Sequence, residues 1–91
     1  MKRYHVIVDG RVQGVGMRSF CMLQAQQRGL TGNVKNLDNG MVEIYVQGEE
    51  TKIDDFLAAI QERNRFIMVT DISVKEVPVE PNEKRFSYSW Y

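Results

Sequence analysis

The residue types most able to carry chemistry lie together in segment 10–18, whose sequence is GRVQGVGMR. A β-branched and aromatic run precedes this segment and a stretch without Gly or Pro follows it, so we expect it to join a strand to the first turn of a helix. The unpaired amides and the positive end of the helix dipole at such a junction favour anions. Gly14 and Gly16 allow positive φ and a close approach of a ligand to the backbone, which predicts an anion site in this loop.

Arg18 falls in the first turn of this predicted helix, where a cation is disfavoured by about 0.3–1 kcal/mol. A bound phosphate would remove this conflict, because a guanidinium binds phosphate through two parallel hydrogen bonds. Nucleotide-binding loops do not fit: a P-loop requires a Lys-Ser/Thr pair after its last glycine, and a dinucleotide-binding loop requires a glycine at the position of Ser19. From these residues alone, an anion site and a flexible loop with a solvated arginine remain alternatives.

Composition and charge exclude several other classes of protein. The 91 residues support one domain over 1–91, and 12 basic against 12 acidic residues give a net charge of zero, which argues against a nucleic-acid partner. A lone cysteine, Cys21, and a lone histidine, His5, exclude an intramolecular disulfide and the usual structural zinc sites. The apolar run near the N-terminus is too short for a signal peptide or a membrane span, so we expect a soluble, cytoplasmic protein with no membrane partner.

Hydrophobic periodicity predicts alternating strands and helices. Strand patterns cover 4–9, 31–37, 41–47, 70–77 and 84–91, and a helix pattern covers 18–28. The run 38–40, Asp-Asn-Gly, predicts a tight hairpin turn. Thr51 with Asp54 indicates the start of a second helix, whose apolar face consists of Ile53, Phe56, Leu57 and Ile60. The order βαββαβ, with a short extra C-terminal strand, predicts an α+β ferredoxin-like two-layer sandwich, with an antiparallel sheet and both helices on one face.

Two long motifs resemble the signatures of the acylphosphatase family. Segment 10–18 resembles the first signature, and segment 29–43, GLTGNVKNLDNGMVE, resembles the second at the expected distance. The predicted element order extends the likeness over the whole chain. Met17 stands where the family usually has phenylalanine, and both residues are large and apolar. The segment Asn64–Met68 lacks the Gly and Pro residues expected before the fourth strand, so the resemblance does not predict the shape of that loop.

The resemblance implies hydrolysis of an acyl phosphate to a carboxylate and inorganic phosphate, with water as the nucleophile. It implies that Arg18 binds the phosphate and that Asn36 positions the attacking water. It also implies a backbone cradle for the phosphate oxygens, formed by Gln13, Gly14, Val15, Gly16 and Met17. No metal, cofactor or covalent intermediate is implied. We expect a monomer for which inorganic phosphate and sulfate compete with the substrate.

Three other functions are weighed against this one. The strongest is a non-catalytic ferredoxin-like module that binds a small molecule or anion, because a fold alone does not assign a function. The second is a phosphate- or carbamoyl-phosphate-handling domain of a larger protein. Binding of single-stranded RNA is disfavoured by the zero net charge. Cys21 is interpreted as a core residue and His5 as a strand residue without a catalytic role, and core packing is also the interpretation of the terminal aromatics Phe86, Tyr88, Trp90 and Tyr91.

Overall fold

The computed structural model describes residues 1–62 and 64–88. In this part of the chain the elements are β1 (Lys2–Arg11), α1 (Met17–Gln27), β2 (Thr31–Asn36), β3 (Val42–Gly48), α2 (Glu50–Gln61), β4 (Met68–Val77) and β5 (Phe86–Tyr88). Their order and types agree with the prediction. The predicted strand 84–91 begins only at Phe86, and its positions 89–91 lie outside the described residues. Neither described helix is long and apolar enough to cross a membrane.

The strands form one sheet in the order β4-β1-β3-β2-β5. β1 pairs antiparallel with both β3 and β4, and β2 pairs antiparallel with β3. These pairings confirm the ferredoxin-like arrangement. The sheet is mixed rather than wholly antiparallel as predicted, because β5 pairs parallel to β2. The reason is the connection 78–85, which crosses the face of the sheet opposite the helices. On that face Gln47 donates a hydrogen bond to the carbonyl of Glu80 at 2.9 Å. The connection therefore runs from β4 at one edge of the sheet to β5 at the other.

The hydrophobic core lies between the sheet and the two helices. The helix-facing side of the sheet contributes fully buried residues from its central strands, namely Val6, Val8, Val34, Val42, Ile44 and Val46. On α2 the predicted apolar face is buried, with Leu57 only partly buried at its margin. On α1, Met17, Cys21 and Ala25 are buried. Burial raises the pKa of the Cys21 thiol to about 12, which agrees with its interpretation as a core residue.

The N-cap of the second helix lies two residues before Thr51, which the sequence pattern indicated. Glu49 is the extended N-cap residue, and its carbonyl accepts a hydrogen bond from the amide of Ile53 at 3.0 Å. Thr51 does not cap the helix, because its hydroxyl donates to the Glu49 carboxylate at 2.8 Å. Glu50 places a carboxylate in the first turn, where the helix dipole favours it. The Glu50 side chain also accepts a hydrogen bond from the Tyr4 hydroxyl at 3.0 Å, which ties β1 to α2.

The loop before β4 takes its shape from Asn64. Its Oδ1 accepts hydrogen bonds from the amides of Phe66 at 2.9 Å and Ile67 at 2.8 Å. A turn closed by an asparagine side chain does not require Gly or Pro, which explains the departure noted in this segment. The Ile67 side chain is buried in the core, so the loop is fixed at its C-terminal end.

Candidate active site

The loop between β1 and α1 is anchored by apolar side chains and shaped by two glycines. Val12 and Met17 are buried, and Val15 packs partly against the core. Gly14 and Gly16 have φ values of 71° and 84°, in the left-handed region that residues with a Cβ rarely adopt. The side chains therefore hold the loop against the core, and the two glycines turn its backbone into the start of α1.

Backbone amides without acceptors cluster at the start of α1. Gly16 is the N-cap residue, no side chain caps the helix, and the first turn contains no acidic residue. The amide of Phe20 donates to the Gly16 carbonyl at 2.9 Å. Within the described part of the chain, the amides of residues 14–17 have no hydrogen-bond acceptor. Together with the helix dipole they provide the positive partial charge that favours an anion.

Gln13 ties this loop to the hairpin between β2 and β3. Its Nε2 donates to the carbonyls of Leu37 and Met41, both at 2.7 Å. The family resemblance implied a role only for the backbone of Gln13, so the hydrogen bonds of its side chain were not predicted. No local pattern signals it, because the acceptors are backbone groups 24 and 28 residues away. The consequence is that two segments distant in sequence are held in a fixed relation.

Asn36 is the last residue of β2 and lies opposite Val42 of β3. As predicted, it shares the helix-facing side of the strand with Val34, because side chains alternate along a strand. Its Oδ1 is buried and has no hydrogen-bond donor among residues 1–62 and 64–88. Most buried polar atoms in folded proteins have a partner. In the described part of the chain, Asn36 Oδ1 is the buried side-chain polar atom that folding leaves without a partner.

Arg18 lies in the first turn of α1 and is half-buried. Its guanidinium carbon lies over the ring of Tyr88, 4.6 Å from the ring centroid. Tyr88 belongs to β5 and pairs with Val34 of β2. The fold thus brings Arg18 to the edge of the sheet beside the strand that ends in Asn36. The contact with Tyr88 was missed, because alternation alone indicated that this ring packs in the core.

The other candidate residues, His5 and Cys21, have structural surroundings. His5 is on the face of the sheet opposite the helices, where its Nε2 lies 2.9 Å from the Glu43 carboxylate and its ring stacks 4.7 Å from that of Tyr45. Cys21 is buried in the core. Across the described residues, no three His, Cys, Asp or Glu side chains are arranged to hold a metal ion. The structure links the loop 13–17 to the hairpin after Asn36 through Gln13, and places Arg18 beside the strand that ends in Asn36.

The family model described as acylphosphatase matches residues 4–88. The chain belongs to the acylphosphatase family. It is 48% identical to the acylphosphatase of Clostridium acetobutylicum over 86 residues, which are 94% of each chain. The crystal structure of the acylphosphatase from Bacillus subtilis matches it with a TM-score of 0.92 and 46% identity, over 99% of this chain and 100% of that chain.

These acylphosphatase matches confirm the predicted family, fold and enzyme class, a hydrolase. The matched range includes both segments that carry the resemblance, 10–18 and 29–43. The chain is also similar to part of a longer protein. HypF from T. kodakarensis matches with a TM-score of 0.85 and 34% identity, over 98% of this chain but only 12% of that chain.

Proposed function

We propose that this chain hydrolyses acyl phosphates without a metal ion, with Arg18 and the loop 13–17 binding the phosphoryl group and Asn36 positioning the attacking water. The observation that carries the proposal is the buried Asn36 Oδ1, which lacks a hydrogen-bond donor among the described residues. An unsatisfied buried polar group costs about 1–3 kcal/mol. In the proposed role a small rotation of the side chain exposes this oxygen, and the attacking water then supplies the missing donor.

The loop and Arg18 supply complementary charge for the phosphoryl oxygens. The amides of 14–17 are directed dipoles at a helix N-terminus, without acceptors among the described residues. The side chain of Met17 is buried, so we assign this residue a role through its amide alone. Arg18 adds a full positive charge and a planar set of donors, which matches two phosphoryl oxygens at once. The same groups bind inorganic phosphate and sulfate as competing anions.

The Gln13 side chain makes the two halves of the site a single unit. It joins the loop that binds the phosphoryl group to the hairpin that follows Asn36. An oriented water and an oriented phosphorus atom convert an encounter in solution into a step within one complex, and good positioning contributes several kcal/mol to such steps. In this view the side chain of Gln13 does not touch the substrate. It keeps the distance between nucleophile and electrophile constant.

The reaction requires few groups beyond these. A carboxylate is a good leaving group, so the acyl oxygen needs no general acid. Phosphoryl transfer passes through a loose transition state with its charge on the phosphoryl oxygens, where amide and guanidinium donors are most effective. His5 lies on the opposite face of the sheet and does not serve as a base. We assign the proton of the attacking water to the phosphate itself.

The proposal extends to the whole chain as one monomeric, cytoplasmic domain over 1–91 without a nucleic-acid partner. Support for one folding unit comes from contacts between its two ends: Arg3 donates to the carboxylate of Glu83 at 2.8 Å across the sheet. Support against a nucleic-acid partner comes from the net charge of zero, because such partners are bound mainly through basic surfaces.

The test measures phosphate release from benzoyl phosphate in the presence of EDTA by the parent chain, Asn36→Ala and Asn33→Ala. Asn33 is a matched control, because it lies on the same strand with its side chain on the opposite face. We expect Asn36→Ala to lower kcat by about 100-fold, the size of a misplaced nucleophile, while the phosphate Kd changes by less than about threefold. Asn33→Ala should retain kcat within about twofold.

Each alternative has its own outcome in this experiment. A parent chain that binds phosphate but releases none from benzoyl phosphate is a non-catalytic anion-binding module. Activity that EDTA abolishes overturns the metal-free mechanism. A loss of phosphate affinity in Asn36→Ala as large as the loss of kcat places Asn36 in the anion site and removes its assigned role toward water.

A further inference from the structure

The ring of Tyr88 is in contact with the arginine of the proposed site. The guanidinium carbon of Arg18 lies over this ring, 4.6 Å from its centroid. Tyr88 is the last described residue of β5 and pairs with Val34 of β2. Asn36 follows two residues further along β2 on the same face of the sheet. The ring therefore borders the helix that carries Arg18 and the strand that carries Asn36.

We infer that Tyr88 is a positioning residue, which orients the guanidinium of Arg18 for the phosphoryl group before the substrate binds. This inference rests on the proposed role of Arg18 in phosphate binding. A free arginine side chain populates many rotamers, and fixing one of them during binding costs conformational entropy. A ring that already restricts these rotamers lowers that cost, which is the usual advantage of a preorganised site.

A cation–π contact suits this task because it leaves the guanidinium charged. The negative face of an aromatic ring attracts the cation, yet the ring carries no full charge that would neutralise it. The planar donors of the guanidinium are needed for the oxygens of a phosphate. Tyr88 is half-buried, and partial desolvation strengthens the attraction between the ring and the cation.

The position of Tyr88 also links the site to the last strand. β5 is three residues long and forms the edge of the sheet beside β2. Two of its residues, Phe86 and Tyr88, point to the helix side: Phe86 is buried and packs against Phe56, with ring centroids 6.2 Å apart. The packing of Phe86 fixes the strand, and Tyr88 transmits that position to Arg18.

The test compares Tyr88→Leu, which removes the aromatic face, with Tyr88→Phe, which retains it. We expect Tyr88→Leu to lower kcat/KM for benzoyl phosphate and to raise the Kd of inorganic phosphate, each by about 3- to 30-fold, the range of a partly desolvated cation–π contact. Tyr88→Phe should restore both values to within about twofold of the parent. A Tyr88→Phe variant as impaired as Tyr88→Leu overturns the inference, because the hydroxyl and not the ring face would then be responsible.

A matched control separates positioning from stability. Tyr45 lies on the opposite face of the sheet, where its ring is 5.1 Å from the guanidinium carbon of Arg3. Tyr45→Leu therefore removes a similar cation–π contact without touching the proposed site. We expect this variant to lower the Tm while kcat/KM stays within about twofold of the parent. An equal loss of kcat/KM in Tyr45→Leu and Tyr88→Leu overturns the inference, because both losses would then follow from stability.

NMR spectroscopy of the Arg18 side chain provides a readout that a purely structural role would not move. Protons that lie over an aromatic ring are shifted upfield, so the Arg18 side-chain signals should move downfield in Tyr88→Leu and stay in place in Tyr88→Phe.

Arg18→Lys distinguishes this inference from the proposed function. If Arg18→Lys abolishes activity and Tyr88→Leu has no effect, only the positioning role fails. If Arg18→Lys retains full activity, the proposed role of Arg18 in phosphate binding fails, and the positioning role that rests on it fails with it.

Discussion

Two arginines on opposite faces of the sheet each lie against a tyrosine ring, and their surroundings differ. Arg3 lies 5.1 Å from the ring centroid of Tyr45, donates to Glu83 at 2.8 Å, and is only 7% exposed. Arg18 lies 4.6 Å from the ring centroid of Tyr88, at the start of a helix whose first turn contains no acidic residue. Arg3 thus ties β1 to the connection 78–85 through an ion pair. Arg18 lies against a ring at a helix N-terminus, where the helix dipole favours an anion.

Side-chain amides on the two faces show the same contrast. Gln47 on the open face accepts a hydrogen bond from the Glu80 amide at 2.7 Å and donates to its carbonyl at 2.9 Å. Asn36 on the helix face has a buried Oδ1 with no donor among the described residues. The Gln47 amide, which holds the connection 78–85, thus has both its oxygen and its nitrogen hydrogen-bonded within the folded chain. The two amides therefore differ in how completely the fold satisfies their hydrogen bonds, and the proposed role of Asn36 rests on that difference.

The largest expected effect is on the structural face. Arg3→Met keeps most of the apolar volume but removes the ion pair with Glu83 and the hydrogen bond to Gln47. We expect the free energy of unfolding in urea to fall by about 3 kcal/mol, because breaking a largely buried ion pair leaves the partner uncompensated. In the folded variant kcat/KM should remain within about twofold. A selective loss of kcat/KM without a loss of stability would contradict the division between the two faces.

Gln13→Ala tests the connection between the loop and the hairpin. The substitution removes two hydrogen bonds of 2.7 Å, to the carbonyls of Leu37 and Met41. Each is worth about 1 kcal/mol, so we expect the free energy of unfolding to fall by roughly 2 kcal/mol. Unlike Arg3→Met, this variant should also lose kcat, because the water and the phosphoryl group are no longer held in one geometry. A folded Gln13→Ala variant with the parent kcat would show that the two segments act independently.

Arg18→Lys keeps the charge in the proposed site and removes the planar set of donors. We expect kcat/KM to fall by more than roughly tenfold, or about 1.4 kcal/mol of transition-state stabilisation, if the guanidinium binds two phosphoryl oxygens. Arg28→Lys is the matched control: Arg28 caps the other end of α1, where it donates to the Gln24 side chain at 2.7 Å. Equal and small effects of the two substitutions would remove Arg18 from the catalytic site.

The elements and the faces of their residues were predictable from the sequence, because periodicity is a local property. The alternation in β2 placed Asn36 on the same face as Val34, and the spacing in α2 predicted the buried residues Ile53, Phe56 and Ile60. The register of pairing followed from burial on one face, since a shift by one residue would expose the core side chains. The type of each element and the buried face of its residues are therefore encoded in local patterns.

Contacts between distant segments could not be predicted in this way. The parallel pairing of β5 with β2 depends on the path of 78–85 over the open face. The bonds of Gln13 and the contact of Tyr88 with Arg18 depend on how helix, hairpin and edge strand pack together. Glycine content alone left the anion site and a flexible loop as alternatives, and only the likeness of two motifs decided between them. The buried Asn36 Oδ1 without a hydrogen-bond partner among the described residues can be identified only from the folded structure.

The smallest expected effect tests the anion site without turnover, and it compares the two faces directly. If the loop 13–17 and Arg18 form a site only in the folded chain, inorganic phosphate should stabilise the native state by RT ln(1 + [L]/Kd), which is about 1.4 kcal/mol at ten times Kd. A domain of this size shifts its Tm by roughly 4–8 °C per kcal/mol, so a saturable rise of several degrees is expected.

Phosphate and sulfate also strengthen apolar burial in general, and that effect grows linearly with concentration. Arg18→Ala keeps this general response and removes the main charge of the site, whereas Arg3→Met lowers the starting Tm and leaves the site intact. The saturable rise should therefore persist in Arg3→Met and disappear in Arg18→Ala, and equal shifts in all three proteins would show that no specific anion site exists at this loop.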